Sequence, residues 1–229
     1  MAKNAVWQDE YWLMLMQAYL QKPEGVKPLY SRTMVDLSLE LHIAPQALQA
    51  RMLQLANLDK PRIERLWHTY GNNSKKLERA VRLLRQMKGF GAATDFYDGV
   101  EVQETFERDF RPIAEPAREG AGQTLEERLT PMMLIIILDL YFQLTPSTMV
   151  ASTPEVQQLA KLVQLKPAEV VQVLEAFQYC DPYLNRGAII VTPLLSACQQ
   201  VWQRLGNHDQ EELSAYANDL KAYFAGRKN

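Results

Sequence analysis

Apolar residues recur every three or four positions along most of the chain, and the clearest pattern lies between Ser152 and Phe177. Its first part carries a stripe at helical spacing, formed by Val156, Leu159, Ala160 and Val163. Thr153 stands where a side-chain cap is expected, and Pro167 forces a break because the residue before a proline avoids the helical conformation. A second stripe follows the break, formed by Val170, Val173, Leu174 and Phe177. The pattern predicts two short helices joined by a tight turn.

Four small or apolar residues of this stretch fall at the spacing of a helix-turn-helix unit: Ala160, Leu165, Val170 and Val173. On these residues the pair resembles the helix-turn-helix class, with Gln164 in the place of the turn glycine. The resemblance implies one of two roles. The second helix can present its exposed side to DNA bases, or the whole unit can serve as a protein-packing element.

A second helix pair of the same pattern lies 122 residues earlier, with no gap in the register. The corresponding positions include Ser31 with Thr153, Leu37 with Leu159, Ile43 with Leu165, Pro45 with Pro167 and Leu48 with Val170. His42 falls at the turn position. We therefore predict an internal duplication, in which residues 9–59 superpose on residues 131–181 helix for helix.

The rest of the pattern predicts an all-α protein of about nine helices in two similar lobes, each containing one helix pair. The N-terminal lobe covers 1–110 and opens with a helix at 4–21 that is apolar on nearly all sides. A linker rich in Pro, Gly and Ala follows at 111–122, and the C-terminal lobe covers 123–229. A small β-hairpin can form near 180–192, where the chain contains its one β-branched run.

The composition narrows the class of protein. With 229 residues, 47% of them hydrophobic, the chain can bury a sizeable core, and its net charge of −2 favours no class of partner. The two cysteines, Cys180 and Cys198, and the three histidines lack metal-ligand spacing, so we expect no metal, no cofactor and a reducing compartment. No phosphate-binding loop or hydrolase motif occurs, which argues against an enzyme. The longest apolar run, 132–138, is far shorter than a membrane span of ~20 residues, so we expect a cytoplasmic protein.

Charge is unevenly distributed in the first half of the chain. Nine Lys and Arg stand against two acidic residues at 60–88, whereas ten acidic residues stand against four Arg at 89–128. Most of the basic residues lie on a helix predicted at 75–88. The candidate surface for a polyanion or a protein partner consists of Arg51, Lys75, Arg79, Arg82, Arg85 and Lys88. We also predict that the acidic segment 95–109 folds back on the basic helix and masks it.

The second helix of each pair decides between the two roles. In the first pair it offers Gln46, Gln49 and Arg51, which suit base edges, whereas the second pair offers Glu169 and Glu175, whose carboxylates repel phosphate. We therefore predict a non-enzymatic interaction, adaptor or regulatory protein, whose partner is another protein or a second copy of this chain. The alternative is a nucleic-acid-binding transcriptional regulator that uses the arginines of the candidate surface.

Overall fold

The structure, a computed structural model, describes residues 7–87, 90, 104–115, 123–184 and 192–225. Within these ranges it contains twelve α-helices, one short 3-10 helix and no β-strand, so the predicted all-α class is confirmed. None of the described helices is long and apolar enough to cross a membrane. Of the predicted β-hairpin, residues 180–184 end a helix and form turns, while residues 185–191 lie outside the described ranges. The chain divides into two compact units, Met1–Glu107 and Arg108–Asn229.

The first unit is built around its first long helix. It contains α1 (Tyr11–Leu20), α2 (Arg32–Leu41), α3 (Pro45–Ala56), α4 (Pro61–Tyr70), α5 (Ser74–Arg85) and most of α6 (Glu104–Asp109). As predicted, α1 is apolar on nearly all sides, and it packs against α2, α3 and α5 through buried side chains such as Leu15 and Met16. The helix begins at Tyr11 rather than at residue 4, because residues 9 and 10 form a turn before it.

The second unit has a central helix of the same kind. It contains α7 (Leu125–Arg128), α8 (Pro131–Gln143), a 3-10 helix (Pro146–Thr148), α9 (Pro154–Val163), α10 (Pro167–Cys180), α11 (Pro193–Leu205) and α12 (Gln210–Ala225). All ten residues from Met132 to Tyr141 of α8 are buried, and α9, α10, α11 and α12 pack around this helix. The Thr130 hydroxyl accepts a hydrogen bond from the Met133 amide and so caps the start of α8.

The two helix pairs keep the register that the sequence predicts. α9 begins 122 residues after α2, and α10 begins 122 residues after α3. The turn residues His42 and Gln164 also lie 122 apart, and both adopt the left-handed conformation, with φ of 54° and 59°. A left-handed residue closes a helix end because it turns the following amide onto the last carbonyl groups, and glycine usually does this. The same turn is therefore built twice without glycine, while the duplication itself stays a prediction.

The prediction that a side chain caps the first helix of each pair by a hydrogen bond is wrong. Ser31 and Thr153 occupy the cap positions of α2 and α9, but neither side chain accepts a bond from the helix amides. The Thr153 hydroxyl instead donates to the Thr148 carbonyl oxygen at 2.5 Å. The Ser31 hydroxyl is buried, with no hydrogen-bond partner among the described residues. Pro154 at the first helical position of α9 leaves this helix start with one free amide fewer.

The segment predicted as a linker is tied to the second unit where it is described. The Ile113 amide donates to the Leu129 carbonyl oxygen at 2.9 Å, and the Ala114 amide donates to that of Glu126 at 3.3 Å. The division between the units falls at Glu107, slightly before the predicted boundary at residue 110. Residues 116–122 of the predicted linker lie outside the described ranges.

Candidate interaction surfaces

Three basic residues of the candidate surface form a continuous line along α5. The helix buries Leu77, Val81 and Leu84 on one side. Lys75, Arg79 and Arg82 are exposed on the opposite side at spacings of four and three residues, which places them along about 10 Å of the helix. Within the described part of the chain, none of the three forms an ion pair or hydrogen bond. We call these three residues the basic ridge.

Two large apolar side chains lie exposed at the end of the same helix. Leu83 in the last turn of α5 is 52% exposed, and Met87 just after the helix is 60% exposed. They are four residues apart and flank the basic ridge on one side. We call Leu83 and Met87 the apolar flank. A surface that combines unpaired cations with exposed apolar side chains can bind a partner that is both acidic and apolar.

Arg85 does not join this line. Arg85 donates two hydrogen bonds to the Glu40 carboxylate, from Nε at 2.6 Å and from Nη2 at 2.9 Å, and so links α5 to α2. The bond to Glu40 raises the pKa of Arg85, although partial burial opposes this effect. Lys88 lies outside the described residues. Among the described candidate residues of α5, Lys75, Arg79 and Arg82 therefore form the line and Arg85 forms an ion pair with Glu40.

Arg51, the sixth residue of the candidate surface, packs within the first unit. Its guanidinium carbon lies 4.5 Å from the centre of the Trp7 ring and 6.0 Å from that of Trp12. This geometry is a cation–π contact, which holds the guanidinium over the aromatic faces. Unlike the three residues of the basic ridge, Arg51 therefore has aromatic partners among the described residues of the first unit.

The outward side of α3 carries small and apolar residues beside two glutamines that form hydrogen bonds within the protein. The Gln46 amide donates to the Tyr30 hydroxyl at 2.8 Å, and the Gln49 amide donates to the Lys27 carbonyl oxygen at 3.4 Å. The exposed positions between them and beyond them are Ala47, Ala50 and Leu53. The glutamine groups that could read base edges are thus used within the protein.

The corresponding helix of the second unit is held by a charged pair. Glu169 at the start of α10 binds Arg128, and it also accepts a hydrogen bond from the Lys166 amide at 2.8 Å. Burial alone would raise the pKa of Glu169, but the bonds from Arg128 and Lys166 outweigh burial and lower it. Gln172 and Glu175 are exposed on the same helix. The Glu169 carboxylate therefore stabilises the start of α10 and links it to Arg128.

Two carboxylates of the predicted masking segment have partners that the sequence did not indicate. In the first unit, Glu107 is buried and its carboxylate lies 2.6 Å from Nδ1 of His42, the turn residue of the first helix pair. In the second unit, Asp109 accepts two bonds from Arg204, at 2.7 and 2.9 Å. Residues 91–103 lie outside the described ranges, so the folding of the acidic segment over the basic helix stays a prediction.

Reactive chemistry is sparse in the described residues. Burial raises the pKa of Cys180 to about 11, and burial together with Cys180 raises the pKa of Cys198 further. Thiols with raised pKa are poor nucleophiles at neutral pH because the thiolate is the reactive form. No group of three potential metal ligands occurs within the described ranges.

Comparisons of the chain with protein-family models, with curated proteins and with solved structures find no match.

Proposed function

We propose that the chain is a non-enzymatic interaction protein, an adaptor or regulator, which binds an acidic amphipathic segment of a protein partner through α5. The observation that carries this proposal is the basic ridge beside the apolar flank. Lys75, Arg79 and Arg82 offer three positive charges with no ion-pair partner among the described residues, and Leu83 and Met87 offer apolar area at their side. An amphipathic segment with acidic and apolar side chains at helical spacing would contact both sets at once.

A nucleic acid is the alternative partner, and the apolar flank argues against it. A phosphate backbone would neutralise the basic ridge, but it would leave Leu83 and Met87 in contact with water. Burial of these side chains in a protein interface removes apolar surface from solvent, at roughly 25 cal/mol for each Å². The use of Gln46, Gln49 and Arg51 in internal contacts supports the same preference.

We also propose that the two helix pairs are copies of one helix-turn-helix-like unit that serves in protein packing. The shared left-handed turn at His42 and Gln164 supports this origin. The two free cysteines suit a cytoplasmic location, where thiols stay reduced.

Fluorescence anisotropy with three labelled probes tests the proposed function. The first probe is an amphipathic peptide with Glu, Leu and Phe at helical spacing, the second is poly-glutamate of equal charge, and the third is a DNA duplex. We expect the amphipathic peptide to bind at least about tenfold more tightly than poly-glutamate, because only it can bury apolar surface on the flank. A preference for DNA that weakens steeply with salt would replace this proposal with the nucleic-acid alternative.

Variants of the basic ridge and of the apolar flank distinguish the contribution of charge to binding from that of apolar contact. Replacing Leu83 and Met87 by Ser should weaken the amphipathic peptide and leave poly-glutamate unchanged. Replacing the basic ridge by Ala should weaken both peptides. Lys161→Ala, an exposed lysine on α9 of the second unit, is the matched control and should change neither affinity. Equal losses with the control and the ridge variant would contradict the proposed site.

A further inference from the structure

A cleft of about 160 Å³ lies between α1 and α2 in the first unit, and it has an apolar floor and a polar rim. The floor is formed by Met14, Ala18 and Leu37, whose side chains are buried. The rim carries the amides of Gln17 and Gln21 together with polar side chains of α2. The residues of the two helices that line the cleft recur at three- and four-residue spacing, so the cleft follows both helices.

The cleft retains one negative charge after its internal pairs are counted. Glu40 and Arg85 line one end and neutralise each other through their two hydrogen bonds. Asp36 is the remaining charged residue of the lining. Asp36 forms an ion pair with Arg32, which lies outside the lining with Nε 3.8 Å from the carboxylate, and this pair is long and exposed. Partial burial raises the pKa of Asp36, and Arg32 only opposes this effect.

The size of the cleft selects the kind of group that can enter it. A cavity of about 150 Å³ holds a group of roughly six non-hydrogen atoms, the size of benzene. A lysine side chain has four methylene groups and one ammonium, so its stem can lie on Met14, Ala18 and Leu37 while its charge reaches Asp36. The amide oxygen of Gln17 can accept a second hydrogen bond from the ammonium, which has three donors.

We propose that the α1–α2 cleft binds the alkylammonium group of a lysine side chain on a protein partner. The site shares no residue with the basic ridge, because Lys75, Arg79 and Arg82 do not line it. The proposal for the cleft can therefore be tested independently of the proposed binding surface on α5. If both sites act together, the partner presents acidic and apolar residues to α5 and a lysine to the cleft.

The test is an NMR titration of the full chain with N-acetyl-lysine N-methylamide. The matched probe is the norleucine derivative, which has a similar apolar stem without the ammonium. We expect the lysine probe to shift the amide signals of Gln17 and Asp36 and to bind about tenfold more tightly than the norleucine probe, since its ammonium makes charge-assisted hydrogen bonds. Equal binding of the two probes would overturn the proposal.

Two further measurements test whether Asp36 binds the ammonium and whether the cleft prefers a lysine side chain to a free amine. Asp36→Asn should abolish the preference for the lysine probe, whereas Asp59→Asn, the same change at an exposed site outside the cleft, should keep it. The dispersed spectrum of each variant shows that it is folded. Butylammonium is the free-amine probe, and it should bind no better than the lysine probe. If butylammonium binds and the lysine probe does not, the cleft takes free amines and the proposed protein partner is wrong.

Discussion

The guanidinium carbon of Arg51 lies 4.5 Å from the centre of the Trp7 ring. This contact joins α3 to the segment before α1, and it occupies the one arginine that the helix-turn-helix resemblance offered for base contacts. A guanidinium held over an aromatic face serves the packing of its own unit first. Arg51 therefore packs within the first unit, whereas the other described residues of the candidate surface lie on α5.

Replacing Arg51 by Ala should lower the free energy of unfolding by about 1–2 kcal/mol, through loss of the cation–π contact and of the packed stem. Arg51→Lys keeps the charge without the planar group and should have an intermediate effect. Urea unfolding followed by tryptophan fluorescence measures the change. Arg79→Ala, an exposed arginine without a partner among the described residues, is the control and should cost less than ~0.5 kcal/mol. Equal effects at the two positions would mean that the stack contributes nothing.

The helical pattern of α3 shows which features the sequence could predict and which it could not. Periodicity located the helix and its inward side, but it did not indicate what the Arg51 side chain contacts. The structure buries Leu48, Met52 and Leu55, which lie 122 residues before the buried Val170, Leu174 and Phe177. The inward side is thus the same in both helices, and Arg51 lies beside it. Only the position of Trp7 explains why an arginine fits there, and that contact spans 44 residues of sequence.

Because of Glu169, the second unit should lose stability as the pH falls. Its folded pKa is lowered by Arg128 and Lys166 against the effect of burial. The stabilisation is therefore fully present above the ordinary value of 4.5 and is lost as the pH falls through the lower folded pKa. Glu169→Gln should cost about 1–2 kcal/mol at neutral pH and nearly nothing near pH 2. Urea unfolding of parent and variant across this range measures the difference, and Glu175→Gln is an exposed control on the same helix. A difference that stays constant with pH would contradict the role of the charge.

The buried Asp139 in α8 should make the second unit sensitive to its partner lysine. Its Oδ2 lies 3.4 Å from Nζ of Lys221 in α12, and its Oδ1 has no hydrogen-bond partner among the described residues. Lys221→Met leaves a buried carboxylate without its cation and should cost about 3 kcal/mol. Replacing Asp139 by Leu at the same time should recover most of that loss, because the buried carboxylate is then removed together with its cation. Unfolding free energies of the single and double variants form the measurement. A double variant as unstable as Lys221→Met would show that the cost does not arise from the unpaired carboxylate.

The partners of charged residues were the least predictable feature. Local charge counts suggested that the acidic residues 95–109 face the basic helix, yet Glu107 binds His42, 65 residues earlier in the chain. Sequence spacing reports which residues share a helix face, but it does not report which faces meet. The exposure of Lys75, Arg79 and Arg82 and that of Leu83 and Met87 likewise emerge only from the packing of α5.

A charge reversal on the basic ridge tests the central claim most directly. The measurement is the dissociation constant of the amphipathic acidic peptide for the parent chain and for the double variant Arg79→Glu with Arg82→Glu, together with a peptide in which every Glu is replaced by Lys. The account predicts that the variant binds the acidic peptide at least about tenfold more weakly and gains affinity for the basic peptide, since opposite charges now face each other. Unchanged affinity for the acidic peptide in a folded variant would contradict the claim that α5 is the binding surface.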